Sequence, residues 1–299
     1  MTTIAGVEIS EVTIDGEDVI EITVDGDVVW TAVSTEIEWA QEMDTRYLQD
    51  SSGFANHLIS GGTSFVQQGY DHGSLTRGLI GYWPLDEGIG TTATDEALGH
   101  DGDIEGASWS PDSSVGTYSL EFDGVDDRVN IGTDPVFEPQ QLTVTVWVNV
   151  TGDNNDSWWA PVCRRTGSAP DGYWIFIDNP NMDVSFSIDW EEEGRVHADF
   201  EFPEILSMSE WNHLAMTWNG ETFAAYLNGE LLDSSTQWAG NTIDHSGPLY
   251  IGYDDQNDYP MLGNITDVRI YDRGLSTPEI QSLYKLTEPS VVNPGDTLQ

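Results

Sequence analysis

Basic residues are scarce in this sequence of 299 residues. It contains nine lysines and arginines, with Lys285 as the one lysine, against 53 aspartates and glutamates, and its formal net charge at pH 7 is -44. Like charges at this density destabilise the compact state in dilute buffer, whereas about 1 M salt shortens the Debye length to roughly 3 Å and removes most of the repulsion. The composition therefore predicts a protein of a salt-saturated cytoplasm, from a haloarchaeon or from a virus of such a host.

Other scarcities exclude further classes of protein. A chain with so few basic residues lacks the groups that neutralise phosphates, so nucleic acid is not an expected partner. No apolar run reaches the ~20 residues that cross a bilayer, so no membrane is an expected partner either. Cys163 is the sole cysteine, which excludes an intrachain disulfide. Residues 1–6 have neither the basic nor the apolar region of a signal peptide, and we therefore expect no ordinary secretion.

Residues 7–30 alternate apolar and polar side chains, which is typical of strands. Asp15-Gly16 and Asp25-Gly26 interrupt the alternation, and both dipeptides tolerate the positive φ of two-residue hairpin turns. The pattern predicts a three-stranded meander. Because three short strands bury little surface, we assign residues 1–32 to a small β-meander domain that serves anchoring or oligomerisation.

Residues 33–77 are predicted to form a connector. The segment 36–48 has the pattern of a short helix, with Ile37, Met43 and Leu48 on one side. The remainder of the connector is rich in glycine and serine, which favours loop structure.

The chain from residue 78 onward has the pattern of strands joined by tight turns. Leu142 to Val150 alternates so that one face is apolar and the other mixed, which is typical of a strand with one side in a core. Asn219-Gly220 and Asn228-Gly229 mark two hairpins. Ser276, with Glu279 three residues later, predicts the start of a helix.

These signals together predict an all-β fold. We expect a sandwich or a jelly roll with one short C-terminal helix over residues 78–287, preceded by the small β-meander domain. Residues 288–299 are polar and contain proline, and they are predicted to be a loose tail.

Four segments of this region, in their order along the chain, resemble the laminin G-like, concanavalin A-like lectin/glucanase jelly roll. They are Gly78–Glu87 (GLIGYWPLDE), Leu120–Asp127 (LEFDGVDD), Trp211–Leu214 (WNHL) and Gly263–Tyr271 (GNITDVRIY). The resemblance covers residues 78–286. The resemblance implies a two-sheet antiparallel jelly-roll sandwich, whereas function stays open, since this fold serves lectins, enzymes, adhesins and inert spacers.

A weaker internal similarity relates the connector to the jelly roll. Residues 50–64 and residues 95–108 both resemble the loop and strand that follow the Tyr-Trp segment in this family. The connector is therefore either a remnant of a duplicated module or an additional β-element of the sandwich.

The resemblance also implies a structural calcium ion. Family members often hold one with carboxylates from the loop after the Tyr-Trp segment and from the last strand, and the matching residues here are Asp95 and Asp267. Oxygen ligands of this kind suit calcium. The chain departs from the family where Glu96-Ala97-Leu98 replaces small polar residues. A second acidic loop, residues 254–258, has similar ligand types and is interpreted as charged surface.

A lectin site needs exposed aromatic rings near carboxylates and amides, because sugar faces stack on rings while sugar hydroxyls bond to polar groups. The pair Trp158-Trp159 follows an acidic loop, and further aromatic residues lie where they could border the same sheet face. Core packing is the competing interpretation for tryptophans in a sandwich. We predict a glycan-binding site formed by Trp158, Trp159, Tyr173, Trp174, Trp190, Trp238 and Tyr259.

Catalysis has weaker support. Asp189, Glu191 and Glu193 would share one side of an extended strand, as the paired carboxylates of glucanases with this fold do. However, Glu192-Glu193-Gly194 has the pattern of a turn, and the glucanase motif is not matched around it. We therefore predict that the protein is not an enzyme.

The N-terminal residues 6–30 resemble the leader of structural proteins in tailed viruses of haloarchaea. The two resemblances together predict a virion structural protein on the particle surface, as a tail fibre, baseplate or capsid projection. Its lectin-like domain would attach to host-surface glycans or the S-layer glycoprotein. Other virion proteins and further copies of the chain, in a trimer or pentamer, are the other expected partners.

Two alternative functions remain. One is a carbohydrate-binding adhesin of the haloarchaeon itself, secreted or held at the cell surface. The other is a glycoside hydrolase of the glucanase type.

Overall fold

The computed structural model describes residues 2–4, 7–14, 17–24, 27–33, 47–48, 58–59, 75–152, 157–165, 172–179, 181–190 and 197–287. The chain divides into two compact units, Met1–Arg77 and Gly78–Gln299. Within the described ranges, no helix combines the length and the apolar character that crossing a membrane requires.

The first unit contains an antiparallel sheet of four strands in chain order. They are β1 (Thr2–Ile4), β2 (Val7–Ile14), β3 (Glu17–Val24) and β4 (Asp27–Val33). The two predicted hairpins are confirmed, because β2 pairs with β3 and β3 pairs with β4 on either side of the Asp-Gly dipeptides. The predicted number of strands is wrong by one, since residues 2–4 fold back on β2 after a two-residue connection.

Two short strands of the first unit, β5 (Tyr47–Leu48) and β6 (Leu58–Ile59), pair antiparallel. The helix predicted over residues 36–48 is therefore wrong at its last two residues, and the rest of it lies outside the described residues. Tyr47 opposes Ile59, and both residue types favour strands when a partner strand is available.

The second unit contains two antiparallel sheets of eight strands each. From edge to edge, sheet I consists of β10 (Ser108–Ser110), β11 (Ser119–Asp123), β22 (Leu262–Tyr271), β13 (Leu142–Val150), β18 (Trp211–Trp218), β19 (Phe223–Leu227) and β20 (Glu230–Ser235), with β7 (Leu79–Trp83) also paired to β22. Sheet II consists of β17 (His197–Phe202), β16 (Asp183–Asp189), β15 (Gly172–Asn179), β14 (Ser157–Arg165), β21 (Leu249–Ile251), β12 (Arg128–Gly132), β9 (Gly102–Glu105) and β8 (Thr92–Ala93).

The two sheets enclose one continuous apolar core. Inward side chains of both sheets meet in it, including Trp83, Val146 and Trp218 from sheet I and Ile175 and Phe186 from sheet II. All five are nearly or fully buried. The predicted two-sheet antiparallel jelly-roll sandwich is confirmed.

Strand β13 is buried more completely than its alternation predicts, since all nine of its residues are inaccessible. Its outer face is covered by the chain that follows β22. The Thr143 hydroxyl donates a hydrogen bond to the carbonyl of Arg273, and the Trp147 indole donates to the Thr287 hydroxyl. The polar outer face of β13 is therefore buried where a later segment packs on it, and Thr143 and Trp147 find hydrogen-bond partners in that segment.

That covering segment ends in helix α1 (Thr277–Thr287). The predicted start is confirmed, because the Glu279 carboxylate accepts hydrogen bonds from the backbone and hydroxyl of Ser276. Arg273 also donates to Glu279. Although burial opposes ionisation, these donors lower the pKa of Glu279 to about 2. A short 3₁₀ helix (Pro135–Phe137) adds Phe137 to the core.

A buried histidine lies in the layer between sheet I and helix α1. The His213 ring is 5.3 Å from the Trp147 ring and 6.0 Å from the Tyr284 ring. It is fully buried, and neither ring nitrogen has a hydrogen-bond partner among the described residues. Burial lowers the pKa of His213 to about 4, so the ring is neutral in the folded protein at neutral pH.

We expect His213 to make folding acid-sensitive. The unfolded chain binds a proton on this ring near pH 6.5, whereas the folded protein does so only near pH 4. The stability that the neutral His213 ring contributes to the folded state is therefore fully present above pH 6.5 and is lost as the pH falls toward 4. Linkage gives a loss of about 2 kcal/mol in unfolding free energy by pH 5.

Urea unfolding of wild type and of His213→Phe, both in 2 M KCl, measures this loss. The stability of the variant relative to wild type should increase by that amount between pH 7.5 and pH 5. The same comparison between pH 7.5 and pH 8.5 is the control and should show no change. If the difference in unfolding free energy between the two proteins stayed constant from pH 5 to pH 8.5, the prediction would be contradicted.

Candidate functional site

The candidate site lies on the outer face of sheet II, and strand alternation decides which side chains reach it. In β14, Trp158 points outward and is half-buried, while the neighbouring Trp159 points into the core. In β15, Tyr173 faces the core and Trp174 faces outward. Adjacent aromatic residues are thereby divided between the two faces, as the pleat of a strand requires.

A β-bulge in β14 preserves this division along the strand. The pairing with β15 shifts between Trp159 and Val162, so that both of these residues face the core. Without the extra residue, every side chain after the bulge would point to the opposite face. The bulge therefore brings Cys163 under the outer aromatic cluster and Arg165 to the edge of the candidate site.

Pairing across β15, β16 and β17 places the outward residues in two parallel rows. Trp174, Ser187 and Asp199 form one row, because Trp174 pairs with Ser187 and Ser187 pairs with Asp199. The adjacent row runs through Phe176, Ser185 and Glu201 in the same way. Each row is aromatic at one end and acidic at the other.

An open groove of about 300 Å³ lies over these rows and extends to the edge strand β17. Its lining residues are Trp158, Arg165, Trp174, Phe176, Ser185, Ser187, Asp199, Glu201, Asn257 and Tyr259. The name "sheet II groove" is used below for this set.

Aromatic rings form one half of the sheet II groove. The Phe176 ring lies at its centre, 5.8 Å from the Trp174 ring and 6.3 Å from the Trp158 ring. Tyr259 meets Phe176 edge to face at 5.5 Å. Trp174 and Phe176 are nearly buried and form the floor, whereas Trp158 and Tyr259 are half-buried and offer ring surface to a ligand.

Polar side chains form the other half. The hydroxyls of Ser185 and Ser187 both donate to one oxygen of Asp199, at 2.7 and 2.9 Å. This contact holds the carboxylate in place as a hydrogen-bond acceptor. Glu201 lies two residues further along the same strand, and both carboxylates are exposed.

The rim of the groove is a loop anchored by Arg165. The Arg165 guanidinium donates to both oxygens of the buried Asp254, at 3.2 and 2.7 Å, and lies 5.2 Å from the Trp174 ring. Asp254 and Tyr259 exchange two backbone hydrogen bonds, which close the loop between them. The loop predicted to be charged surface is thus held by a buried ion pair that positions Tyr259.

Three of the seven predicted glycan-binding residues, Trp158, Trp174 and Tyr259, line the sheet II groove. The predicted exposure of Trp159 and Trp238 is wrong, because both are buried in the core between the sheets. Tyr173 and Trp190 lie in the same core. Their packing has a clear physical reason, since these rings fill the space between the sheets.

Two contacts illustrate that core packing. The Trp190 ring lies 4.7 Å from the Trp218 ring of sheet I, and Trp238 meets Phe223 at 5.9 Å with the rings near perpendicular. Of the carboxylates considered for catalysis, Asp189 is buried, whereas Glu191 and Glu193 lie outside the described residues.

The remaining residues of the groove were missed in the sequence. They are Arg165, Phe176, Ser185, Ser187, Asp199, Glu201 and Asn257. The local signal for some of them is present, since Ser185 and Ser187 alternate with apolar residues, as Asp199 and Glu201 do. Alternation alone does not show that these two strands are neighbours.

The two residues predicted to bind calcium have other partners. Both oxygens of the Asp95 carboxylate accept backbone N–H groups, from Tyr82 and Ala97 on one oxygen and from Leu98 and His100 on the other. Burial alone would raise the pKa of Asp95, but these four donors outweigh it and hold the pKa below its ordinary value. Asp95 therefore organises the turn that follows it.

Asp267 forms a buried ion pair. Its two oxygens accept hydrogen bonds from Arg269, at 2.8 and 2.9 Å, and the Tyr82 hydroxyl donates at 3.2 Å. The guanidinium bound to both oxygens neutralises this carboxylate and would repel a cation brought to it. The donor set at Asp95 and Asp267 therefore does not fit a calcium ion.

Comparison with known proteins agrees with this fold. A family model described as the concanavalin A-like lectin/glucanases superfamily matches residues 123–281. A pentraxin fusion protein from Xenopus laevis is 29% identical over 126 residues, which is 37% of this chain and 29% of that protein.

Solved structures with the same fold include receptor-binding domains of toxins. The botulinum neurotoxin serotype D binding domain matches with a TM-score of 0.52 at 17% identity, covering 70% of this chain and 52% of that one. A complex of the serotype D ligand-binding domain with N-acetylneuraminic acid matches with a TM-score of 0.52 at 15% identity, covering 70% and 51%. The chain thus spans about half of these domains. Because the family model covers more than half of the sequence, this chain belongs to the concanavalin A-like lectin/glucanases superfamily.

Proposed function

We propose that this protein is a lectin-like module that binds a glycan in the sheet II groove. The observation that carries the proposal is the division of the groove into an aromatic half and an acidic half, with Asp199 held in place by two serines. A pyranose ring presents an apolar face and a rim of hydroxyls, which require these two kinds of surface side by side.

The roles of the groove residues follow from their positions. The half-buried rings of Trp158 and Tyr259 would stack against the sugar face, and Trp174 and Phe176 support them from below. Asp199 would accept hydrogen bonds from the sugar hydroxyls. The Arg165–Asp254 pair holds the rim loop and so keeps Tyr259 in its position.

The biological setting is a further part of the proposal. We assign the protein to the surface of a haloarchaeal virus particle, where its glycan would be part of the host cell surface. The net charge of -44 and the N-terminal four-stranded sheet support this assignment. Oligomerisation through the first unit would add avidity to weak sugar sites.

Removal of an exposed ring should weaken glycan binding. We expect Trp158→Ala to lower the affinity for a bound oligosaccharide by at least ~10-fold, because stacking surface at the centre of a binding site carries much of the binding free energy. Asp199→Asn should cause a similar loss without altering the fold, since this carboxylate is exposed.

A glycan array in 2 M KCl, followed by calorimetry on the strongest ligand, provides the measurement. Trp109→Ala is the matched control, because Trp109 is a half-buried tryptophan on the edge strand of sheet I. Unchanged affinity in both groove variants, with native circular dichroism, would disprove binding at this site.

Glycoside hydrolysis is a second candidate, and one observation favours it. Asp199 and Glu201 alternate on one strand and both line the sheet II groove, as paired catalytic carboxylates can. Release of reducing ends from the bound oligosaccharide, lost in Glu201→Gln, would establish hydrolysis. Binding without cleavage would support the lectin.

A further inference from the structure

The charges of the sheet II groove are unequally compensated. Asp199 and Glu201 are both exposed on the edge strand β17, and neither forms an ion pair with a described residue. Arg165 is the one basic residue among those that line the groove. Its guanidinium is already bound to the buried Asp254 through both carboxylate oxygens. Among the residues that the structure describes, the groove therefore presents two negative charges and no free positive charge to a ligand.

We propose that the glycan bound in this groove carries free amino groups, so that its ligand class is an amino-sugar oligosaccharide. This inference rests on the proposed function and specifies its ligand. A protonated amine on the sugar ring would meet Asp199 or Glu201 while the ring stacks on Trp158 and Tyr259. The aromatic half adds to the preference, because ring faces attract cations.

The same arrangement disfavours acidic sugars. A carboxylate on the ligand would approach the two groove carboxylates, and like charges about 5 Å apart near a protein surface weaken binding on the order of 100-fold at low salt. The complex of a related toxin domain with N-acetylneuraminic acid concerns an acidic sugar. In this chain the groove selects the opposite charge.

Calorimetry with four oligosaccharides tests the inference. The probes are a glucosamine tetramer, an N-acetylglucosamine tetramer, cellotetraose and sialyllactose, at pH 6 and at the lowest KCl concentration that keeps the protein folded. Wild type should bind the glucosamine tetramer at least ~10-fold more tightly than cellotetraose, and sialyllactose most weakly. The preference should shrink in 2 M KCl, because salt screens charge.

Two double variants separate the groove from the general acidity of the chain. In Asp199→Asn/Glu201→Gln the preference for the glucosamine tetramer over cellotetraose should fall below ~3-fold, although cellotetraose itself should bind ~10-fold more weakly, because Asp199 also accepts hydrogen bonds from sugar hydroxyls. Glu230→Gln/Asp233→Asn removes the same charge from exposed residues of β20 on the other sheet and should keep the preference. Trp158→Ala should weaken all bound sugars alike.

The outcomes distinguish the inference from the proposed function. Equal or tighter binding of cellotetraose, or a preference that survives in Asp199→Asn/Glu201→Gln, overturns the amino-sugar inference and leaves the lectin intact. The amino-sugar inference is also overturned if Glu230→Gln/Asp233→Asn loses the preference for the glucosamine tetramer. Attraction of the cationic sugar to the whole acidic protein would then explain the result. No binding of any of the four sugars overturns the amino-sugar inference, whereas the lectin proposal is decided by the glycan array and the groove variants.

Discussion

The Asp267→Asn variant is expected to lose about 3–5 kcal/mol of unfolding free energy, because it leaves a buried guanidinium without its counter-charge. Asp267 is fully buried, and the Arg269 side chain paired with it is 16% exposed. The Arg269 guanidinium also lies 4.1 Å from the centre of the Tyr82 ring, so it has no direct path to water on that side.

Asparagine is the appropriate replacement at this position. Asp267 has a φ of 48°, in the left-handed region, where asparagine and aspartate are tolerated better than other non-glycine residues. The backbone N–H of Asp267 donates to the carbonyl of Pro84, which fixes this conformation. The variant therefore removes the charge while it keeps the shape and the backbone conformation.

Chemical unfolding of both proteins in 2 M KCl measures the effect. Asp233→Asn, the same change at an exposed residue of β20, is the control and should alter stability by less than ~0.5 kcal/mol. A loss of less than about 1 kcal/mol in Asp267→Asn would show that Arg269 finds another partner or reaches water. Calcium should not raise the stability of wild type, because Arg269 already neutralises the Asp267 carboxylate, nor that of the variant, which has no carboxylate at this position.

Salt is expected to have the second large effect. Raising KCl from 0.1 to 2 M should raise the thermal unfolding midpoint by ~10 °C or more, since about 3–5 kcal/mol of repulsion would be screened. The sign follows from the net charge of -44, which destabilises the compact state more than the extended one.

The placement of the arginines strengthens this expectation. Four of them form ion pairs while their own side chains are at most 17% exposed, and these are Arg164, Arg165, Arg269 and Arg273. The scarce positive charges are thus used in the interior and at loop anchors. In the part of the chain that the structure describes, most surface carboxylates form no ion pair and depend on dissolved cations for compensation.

A charge-reduced variant separates screening from other effects of salt. Replacing the exposed Glu121, Glu221, Glu230 and Asp233 by their amides should raise the midpoint in 0.1 M KCl and reduce the gain between 0.1 and 2 M. Sucrose of equal osmolality should not reproduce the gain from KCl. An equal gain in wild type and variant would exclude charge repulsion as the cause.

Local features of the fold were predictable because each depends on residues close together in the chain. The Asn-Gly hairpins flank β19 as expected, and the Ser276–Glu279 contact begins helix α1. The four family segments also identified the sandwich, because each of them is a short motif that can be recognised from neighbouring residues alone.

The two tryptophans wrongly predicted to be exposed share one cause, which is that strands distant in the chain enclose their rings. Trp159 comes shortly after an acidic loop and Trp238 directly follows Gln237, yet both rings are buried in the space between the sheets. Neither outcome is visible from spacing alone.

The charge, the turns, the strand alternation and the superfamily were accessible from the amino-acid sequence, because they are properties of composition and short-range spacing. The groove itself was decided only by tertiary structure. Trp158 and Asp199 lie 41 positions apart in the numbering, on strands separated by β15 and β16. They share one face because the bulge in β14 and the register of three strand pairs together set which side chains point outward.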